Sequence, residues 1–373
     1  MTTPLQLPLL QSDGEVLAEV NGCLGLITLN RPQALNALTL AMIRDLTRLL
    51  KTWAQDPAVE AVVILGAARP GKPAAFCAGG DIRFFHRAAL AGDSALDDFF
   101  TEEYALNHLI HNFAKPYIAL MDGVVMGGGM GISQGAKLRV LTEGSKLAMP
   151  ETHIGLFPDV GGGYFLGQCP GAVGEWLALT GHTLGAGDAI ELGLGDVFVQ
   201  SAAMPALIEA FRHGEQSSAE HVVATVMEHV DLAPAADPKT LRSRIEQHFS
   251  LADVAAIMAS LEAAGDDWAL RTLATLRKHS PLMLAVTLEQ LRRARSMSLA
   301  EDLRMERDIV HHCFHLRPGA RSETVEGIRA LAVDKDHQPC WLPARIEDVS
   351  REQVLAFFDS PWAPEQHPLR ALI

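Results

Sequence analysis

Three consecutive glycines, Gly127-Gly128-Gly129, lie between an apolar run, Tyr117 to Met121, and a short stretch of small residues, Met130 to Lys137. The run reads as a buried strand, and the stretch after the glycines is compatible with a helix. Glycine has no Cβ, so the backbone there can approach a ligand closely. A helix that begins at such a point aims free N–H groups and the positive end of its dipole at whatever lies in front. That arrangement suits a developing negative oxygen. Two carboxylates follow in polar-poor surroundings: Glu151 after Pro150, and Asp159 after Pro158 and before a second triplet, Gly161-Gly162-Gly163. Taken singly, Glu151 reads as a surface acid or an ion-pair partner, and Asp159 as a turn former. Their occurrence beside the glycine loop makes both candidate site residues. Donors plus carboxylates point to carbonyl chemistry rather than redox chemistry.

Other constellations carry less. GAARPGK (66–72) matches most of a phosphate-binding loop, but Pro73 stands where a magnesium-binding hydroxyl is needed. A surface turn after the AVVIL run is the better reading. Neither glycine triplet fits the dinucleotide pattern G-x-G-x-x-G followed by a strand-borne acid. His311, His312, Cys313 and His315 cluster, and His311 and His315 are four apart, as metal ligands on one helix face are. With no third ligand at a defined spacing, they read as a partly exposed helix end, and no metal site is expected. Glu102 and Glu103 read as the polar face of a helix.

These candidates need elements to hold them. Val16 to Asn30 carries two strand-like runs, ended at Asn30-Arg31-Pro32, and Ala61 to Leu65 is a short buried strand. From Thr39 to about Ala54, apolar residues at three- and four-residue spacing predict an amphipathic helix. Ala74 to Gly80 leads into a turn before Asp81, and residues 96–114 predict a second long helix. Leu138 to Leu141 reads as another strand. Short helices are expected at Trp176–Gly181 and Asp188–Gly193, each closed by glycine. Beyond about residue 200 helical patterns dominate: Ala219–Val230, Pro238–Phe249, Val254–Ala264, Trp268–His279 and Leu282–Arg295. Strand–helix–strand units with continuous apolar strands imply an α/β fold with strands buried on both faces.

Composition narrows the partners. The chain has 373 residues, enough for a large core and a prior of two domains. A formal charge of −14 argues against nucleic acid and against an anionic membrane surface. Five scattered cysteines without a C-x-x-C pair suit a reducing compartment rather than a disulfide framework. The opening MTTPLQLPLLQSDGEV lacks the look of a signal peptide or an Arg-rich presequence, and no run approaches a membrane span. A soluble cytoplasmic protein is expected.

LITLNRPQALNAL (26–38), AFCAGGDIR (75–83), GVVMGGGMGI (123–132) and the stretch from Pro150 to Leu166 resemble, in order, the shared blocks of the enoyl-CoA hydratase/isomerase (crotonase) superfamily. PETHIGLFPDVGGGYFL and EGIRALAVDKDHQPCWLP (326–343) look like its 3-hydroxyisobutyryl-CoA hydrolase branch. The resemblance implies a crotonase-type spiral of ββα units over residues 15–200, carrying a CoA thioester site, and the helical patterns beyond it predict a mainly helical region over 201–373. It implies an oxyanion hole formed by the N–H groups of Gly80 and Gly128. It also implies Glu151 and Asp159 as catalytic residues, with Glu103, Gly128, Glu151 and Asp159 binding substrate. Family hydratases use a second glutamate three residues after the glycine matched by Gly128; here that position is Gly131. Asp159 stands where hydratases usually have glycine and the hydrolase branch has aspartate. The expectation is therefore an acyl-CoA thioester hydrolase of valine catabolism, with Glu151 as nucleophile or general base. No cofactor is expected beyond the CoA of the substrate, and a homo-oligomer is compatible. The alternatives are an enoyl-CoA hydratase or isomerase, and a catalytically silent acyl-CoA-binding protein.

Overall fold

Every residue of LGLITL, 24–29, is buried, because this run lies inside a seven-stranded sheet with cover on both faces. The computed structural model describes residues 8–72, 74–236 and 239–373. Ten strands occur among them: β1 (Val16–Asn21), β2 (Leu24–Leu29), β3 (Ala61–Gly66), β4 (Ala75–Cys77), β5 (Tyr117–Met121), β6 (Val124–Met126), β7 (Leu138–Leu141), β8 (Lys146–Ala148), β9 (Val197–Val199) and β10 (Val230–Asp231). The large sheet runs β1-β2-β3-β5-β7-β9-β10, and a small one runs β4-β6-β8. From β2 to β9 the large sheet is parallel, and β1 and β10 close its edges antiparallel.

The order of elements explains the two sheets. β3, β5 and β7 each join the large sheet, and the strand that follows each one joins the small sheet. Helices then lead back to the next turn: Ile82–Ala91 with Ala95–His111 before β5, and Gly128–Gln134 before β7. This is the ββα spiral that the resemblance implied. The strands of the small sheet are three residues long, too short to show a period. Of the three, only β4 falls in a stretch with a sequence expectation, and that expectation is the approach to a turn. The helix Ile82–Ala91 is not among the sequence expectations, which place only a turn before Asp81. Its start is fixed by Asp81, whose carboxylate accepts from the N–H groups of Arg83 and Phe84.

The chain divides into two units that interleave in sequence. One comprises the described residues up to Gly80, Ala105–Leu147 and Leu184–Ala236. The other comprises Asp81–Tyr104, Ala148–Thr183 and the described residues after 238. Each unit thus draws on three separate segments, where the sequence suggested one cut near residue 200.

In the first unit, Leu24, Leu26, Val63, Leu65, Ile118 and Leu120 share one face of the large sheet with Leu207, Phe211, Val222 and Val226 of the helices Met204–His213 and Ala219–Met227. On the opposite face Trp53, from the helix Leu40–Gln55, lies directly on β2. A Cβ at Gly25 would stand 2.7 Å from its ring. In the second unit the helices begin where polar side chains accept their first free N–H groups. Asp253, Asp266 and Ser280 cap the helices Val254–Ala264, Asp267–Leu276 and Pro281–Ala294. Ser298 and Glu301 form a capping box at the helix Leu299–His315. Pro238, expected to open the helix ending at Phe249, lies outside the described residues, and that helix is described from Lys239. The phosphate-loop reading fails independently of Pro73, which also lies outside them, because strand β4 follows the turn where a helix is required.

Asn36, in the block PQALNAL, accounts for much of the local order. It is fully buried at φ +57°, in the left-handed region that asparagine tolerates. Its amide donates to the carbonyls of Ala67 (3.0 Å) and Ala75 (2.8 Å), and its oxygen accepts from the N–H of Arg31 (2.9 Å). One side chain thus pins both ends of the β3–β4 connection. Asn36→Ala should lower the unfolding free energy by on the order of 1–3 kcal/mol, the cost of leaving a buried polar group unpaired. An unchanged urea midpoint would contradict this role.

Candidate active site

Because β4 and β6 are parallel neighbours, with Ala75 opposite Val124 and Cys77 opposite Val125, the loops leaving their ends run out side by side. A Cβ on Gly79, at φ +99°, would stand 3.2 Å from the Met126 carbonyl oxygen and 3.4 Å from the Gly128 nitrogen. Gly80 follows at once, opposite Leu38 in an isolated parallel bridge, and the Leu38 N–H is bonded to Gly79 O at 2.8 Å. Gly128 is the first residue of its helix, so its N–H has no acceptor one turn back. Gly127 has φ +50°, and a Cβ on Gly129 would meet the Cys77 carbonyl at 2.2 Å. The triplet is therefore a requirement of close approach between two loops. It sets Gly79, one residue before Gly80, against the nitrogen of Gly128.

In the second unit the structure brings Glu103, Glu151 and Asp159 together. They are 2%, 7% and 5% exposed, so the solvated-face reading of Glu103 is corrected: the side chain points into the interior, one residue before the fully buried Tyr104. Glu151 opens a single 3-10 turn, Glu151–Ile154, that ends on Gly155 at φ +65°. The Tyr104 hydroxyl donates to Asp159 Oδ2 at 2.8 Å. Glu103 Oε1 and Glu151 Oε2 are buried and have no hydrogen-bond partner among the described residues.

Electrostatics follow from this crowding. Burial pushes the Glu103 carboxyl well above the usual range, and the Asp159 charge pushes it further. Glu151 is raised by burial, then by Asp159, against a lowering backbone hydrogen bond and with a smaller push from Glu103. Asp159 is raised by burial to about 7, the Tyr104 hydrogen bond pulling the other way. Desolvation and like charge both favour the neutral form of each acid. Groups tuned in this way serve proton transfer and nucleophilic attack near neutral pH.

The loop carrying Asp159 is held from both sides. Gln290 donates to the Pro158 carbonyl at 2.7 Å and to Glu306 Oε1 at 3.1 Å. Glu306 accepts from the N–H groups of Gly161 (2.8 Å) and Gly163 (3.0 Å), and Asp302 accepts from that of Tyr164 (2.8 Å). A Cβ on Gly163 would lie 2.3 Å from Asp302 Oδ1, which explains the last glycine of the second triplet. Between these anchors Val160 is held at φ +55°, a strained conformation for a β-branched residue. Strain is thus kept next to a candidate catalytic side chain.

Sequence reasoning missed Tyr104, Gln290, Asp302 and Glu306. Tyr104 and Gln290 carry no sequence signal of their role. Asp302 and Glu306 do: they fall four apart, in register with the buried Ile309 and Cys313, so acids occupy core positions of a helix. Gly131 is a buried helical position in Gly128–Gln134, with no second glutamate there.

Comparison with known proteins bears on these readings. A family model described as enoyl-CoA hydratase/isomerase matches residues 24–358. A protein of Xenopus tropicalis named mitochondrial 3-hydroxyisobutyryl-CoA hydrolase is 42% identical over 353 residues, covering 93% of this chain and 89% of its own length. A Homo sapiens protein of the same name is 41% identical over 353 residues, with the same coverage. A solved carnitinyl-CoA dehydratase from Mycobacterium thermoresistibile has TM-score 0.83 and 36% identity, over 94% of this chain and 98% of that one. An enoyl-CoA hydratase from Rhodobacter sphaeroides 2.4.1 has TM-score 0.82 and 39% identity, over 93% and 98%. The expected cytoplasmic location is corrected by the mitochondrial names of these relatives. Unpaired cysteines report on redox conditions and not on an address, and the first seven residues lie outside those described. No helix among the described residues is long and apolar enough to cross a membrane. The fold, the glycine blocks and the extent of these matches agree: the chain belongs to the enoyl-CoA hydratase/isomerase family.

Proposed function

We propose that the chain hydrolyses the thioester of a short 3-hydroxyacyl-CoA, 3-hydroxyisobutyryl-CoA above all, as the relatives' names suggest, and so serves valine catabolism. The observation that carries the reading is the buried trio Glu103, Glu151 and Asp159, with two carboxylate oxygens left without a partner among the described residues. Unpaired buried acceptors are costly and call for a chemical reason.

In the proposed reaction the thioester oxygen is received by the N–H groups of Gly80 and Gly128, an oxyanion hole that stabilises charge as the carbonyl carbon becomes tetrahedral. Glu151 acts on that carbon, either by direct attack to give an anhydride that water opens, or by taking a proton from the attacking water. By either route the C–S bond breaks, one water is consumed, and the free acid and the CoA thiol leave. Asp159, fixed by Tyr104, receives the 3-hydroxyl, and Glu103 lines the acyl pocket. This chemistry needs no cofactor besides the CoA of the substrate. The hydration named in the structural neighbours is the second reading, and Gly131 weighs against it because no second glutamate stands there.

The test is kcat/KM for thiol release. Glu151→Gln should keep the fold and lose about 10²–10⁴ of the rate, the usual contribution of a positioned acid–base group. Wild type should strongly prefer 3-hydroxyisobutyryl-CoA over isobutyryl-CoA, since the analogue leaves a buried polar group unpaired. Asp159→Gly should erase much of that preference. Near-normal turnover by Glu151→Gln would remove Glu151 from the mechanism, and an unchanged preference in Asp159→Gly would move hydroxyl recognition elsewhere.

The raised carboxyl of Asp159 also makes a pH prediction. An acid whose folded pKa lies above its unfolded value, about 4, binds its proton more tightly when folded. The stability it contributes is complete below that unfolded value and is lost as pH rises through about 7. Asp159→Asn removes this loss while keeping the shape. The variant should therefore gain on wild type between acid and neutral pH, by on the order of 1 kcal/mol or more. Parallel stability curves for the two proteins would contradict a buried, raised Asp159.

A further inference from the structure

His311 and His315 lie one turn apart on the helix Leu299–His315, their rings stacked with centroids 4.1 Å apart. The third ligand that the sequence did not reveal comes from the helix Ala95–His111. His315 Nε2 stands 3.0 Å from Asp97 Oδ2, and His311 Nδ1 stands 3.5 Å from Asp97 Oδ1. One ligand atom from each of the three residues falls within 4.8 Å of the others.

Three features separate this group from an ordinary ion pair. Asp97 already has its cation: Arg307 donates to Oδ1 at 2.6 Å, and that guanidinium also bonds Thr101 Oγ1 at 2.9 Å and lies over the Trp362 ring. Two further imidazoles nevertheless converge on the same carboxylate. His311 Nδ1 is buried and faces Asp97 Oδ1 at 3.5 Å, too far for a well-formed hydrogen bond, and in the neutral ring this nitrogen can turn a lone pair toward an ion. Arg307 stands where an outer-shell partner of a ligating carboxylate belongs, fixing Oδ1, while Oδ2 is hydrogen-bonded to His315 Nε2, a contact that an ion between the two atoms would replace.

We propose that Asp97, His311 and His315 bind a divalent transition-metal ion of the zinc type, with solvent at the fourth position. A donor set of two imidazoles and one carboxylate suits zinc, and also copper and nickel, better than magnesium or calcium. Ligand atoms at about 2.1 Å from a tetrahedral ion stand about 3.4 Å apart, so small rotations of these partly exposed side chains close the site. The ion would tie the start of the helix that carries Glu103 and Tyr104 to the helix that carries Asp302 and Glu306.

The test uses the full chain freed of metal by chelation and dialysis, then titrated with zinc chloride alone in a calorimeter. Wild type should take up one equivalent. The double variant His311→Gln/His315→Gln, with its fold checked by circular dichroism, should bind it about tenfold or more weakly. Cobalt chloride gives a second readout, with intensified visible bands for wild type that are lost in the double variant. Absence of heat above dilution with wild type, or equal uptake by a folded double variant, would overturn the proposal.

Discussion

Carboxylates do not enter a protein interior without cost, and this structure depends on how that cost is met. A charged group removed from water loses hydration that only partners or a proton can replace. Glu103, Glu151 and Asp159 receive little replacement: the Tyr104 phenol and a backbone hydrogen bond for Asp159, a backbone hydrogen bond for Glu151, and one oxygen on each glutamate without a partner among the described residues. Burial therefore favours the protonated form of each, pushing Asp159 up to about 7. Such acids can exchange protons at the pH where a cell works.

A strained, partly desolvated group stays in place only if its surroundings hold it there. Here the holding is done by a second set of buried acids with a different task. Glu306 and Asp302 receive the free N–H groups of the second glycine triplet, and Gln290 ties Glu306 to the Pro158 carbonyl. Glu306 is itself raised by burial and by Asp302, with its N–H partners opposing. The helices Pro281–Ala294 and Leu299–His315 are thus part of the apparatus that sets Asp159. In the other unit the parallel pairing of β4 with β6 does the equivalent work for Gly80 and Gly128, and the glycines are there because two backbones nearly touch.

Much of this was legible in the chain. The continuous apolar strands and the amphipathic helix after Thr39 follow from spacing alone, and Gly127–Gly129, Glu151 and Asp159 stand out by type and order. The ββα spiral required the family resemblance, because β6 and β8 are too short to carry a period. Glu103 shows where pattern reading fails: beside Glu102 it looks like a solvated helix face, yet tertiary packing buries it. Tyr104, Gln290 and Asp97 were invisible for a related reason. Their partners lie 55, 132 and more than 200 residues away, and no local pattern encodes a contact at that range. The mitochondrial names of the relatives mark another boundary, since composition separates redox environments and not compartments.

By the proposed mechanism these carboxylates break a thioester rather than add water to an alkene. The most direct measurement gives purified wild-type chain two substrates under one condition: 3-hydroxyisobutyryl-CoA, followed by free thiol, and methacrylyl-CoA, followed by loss of enoyl absorbance. Thiol release should turn over well above any water addition. Hydration outpacing thiol release would contradict it.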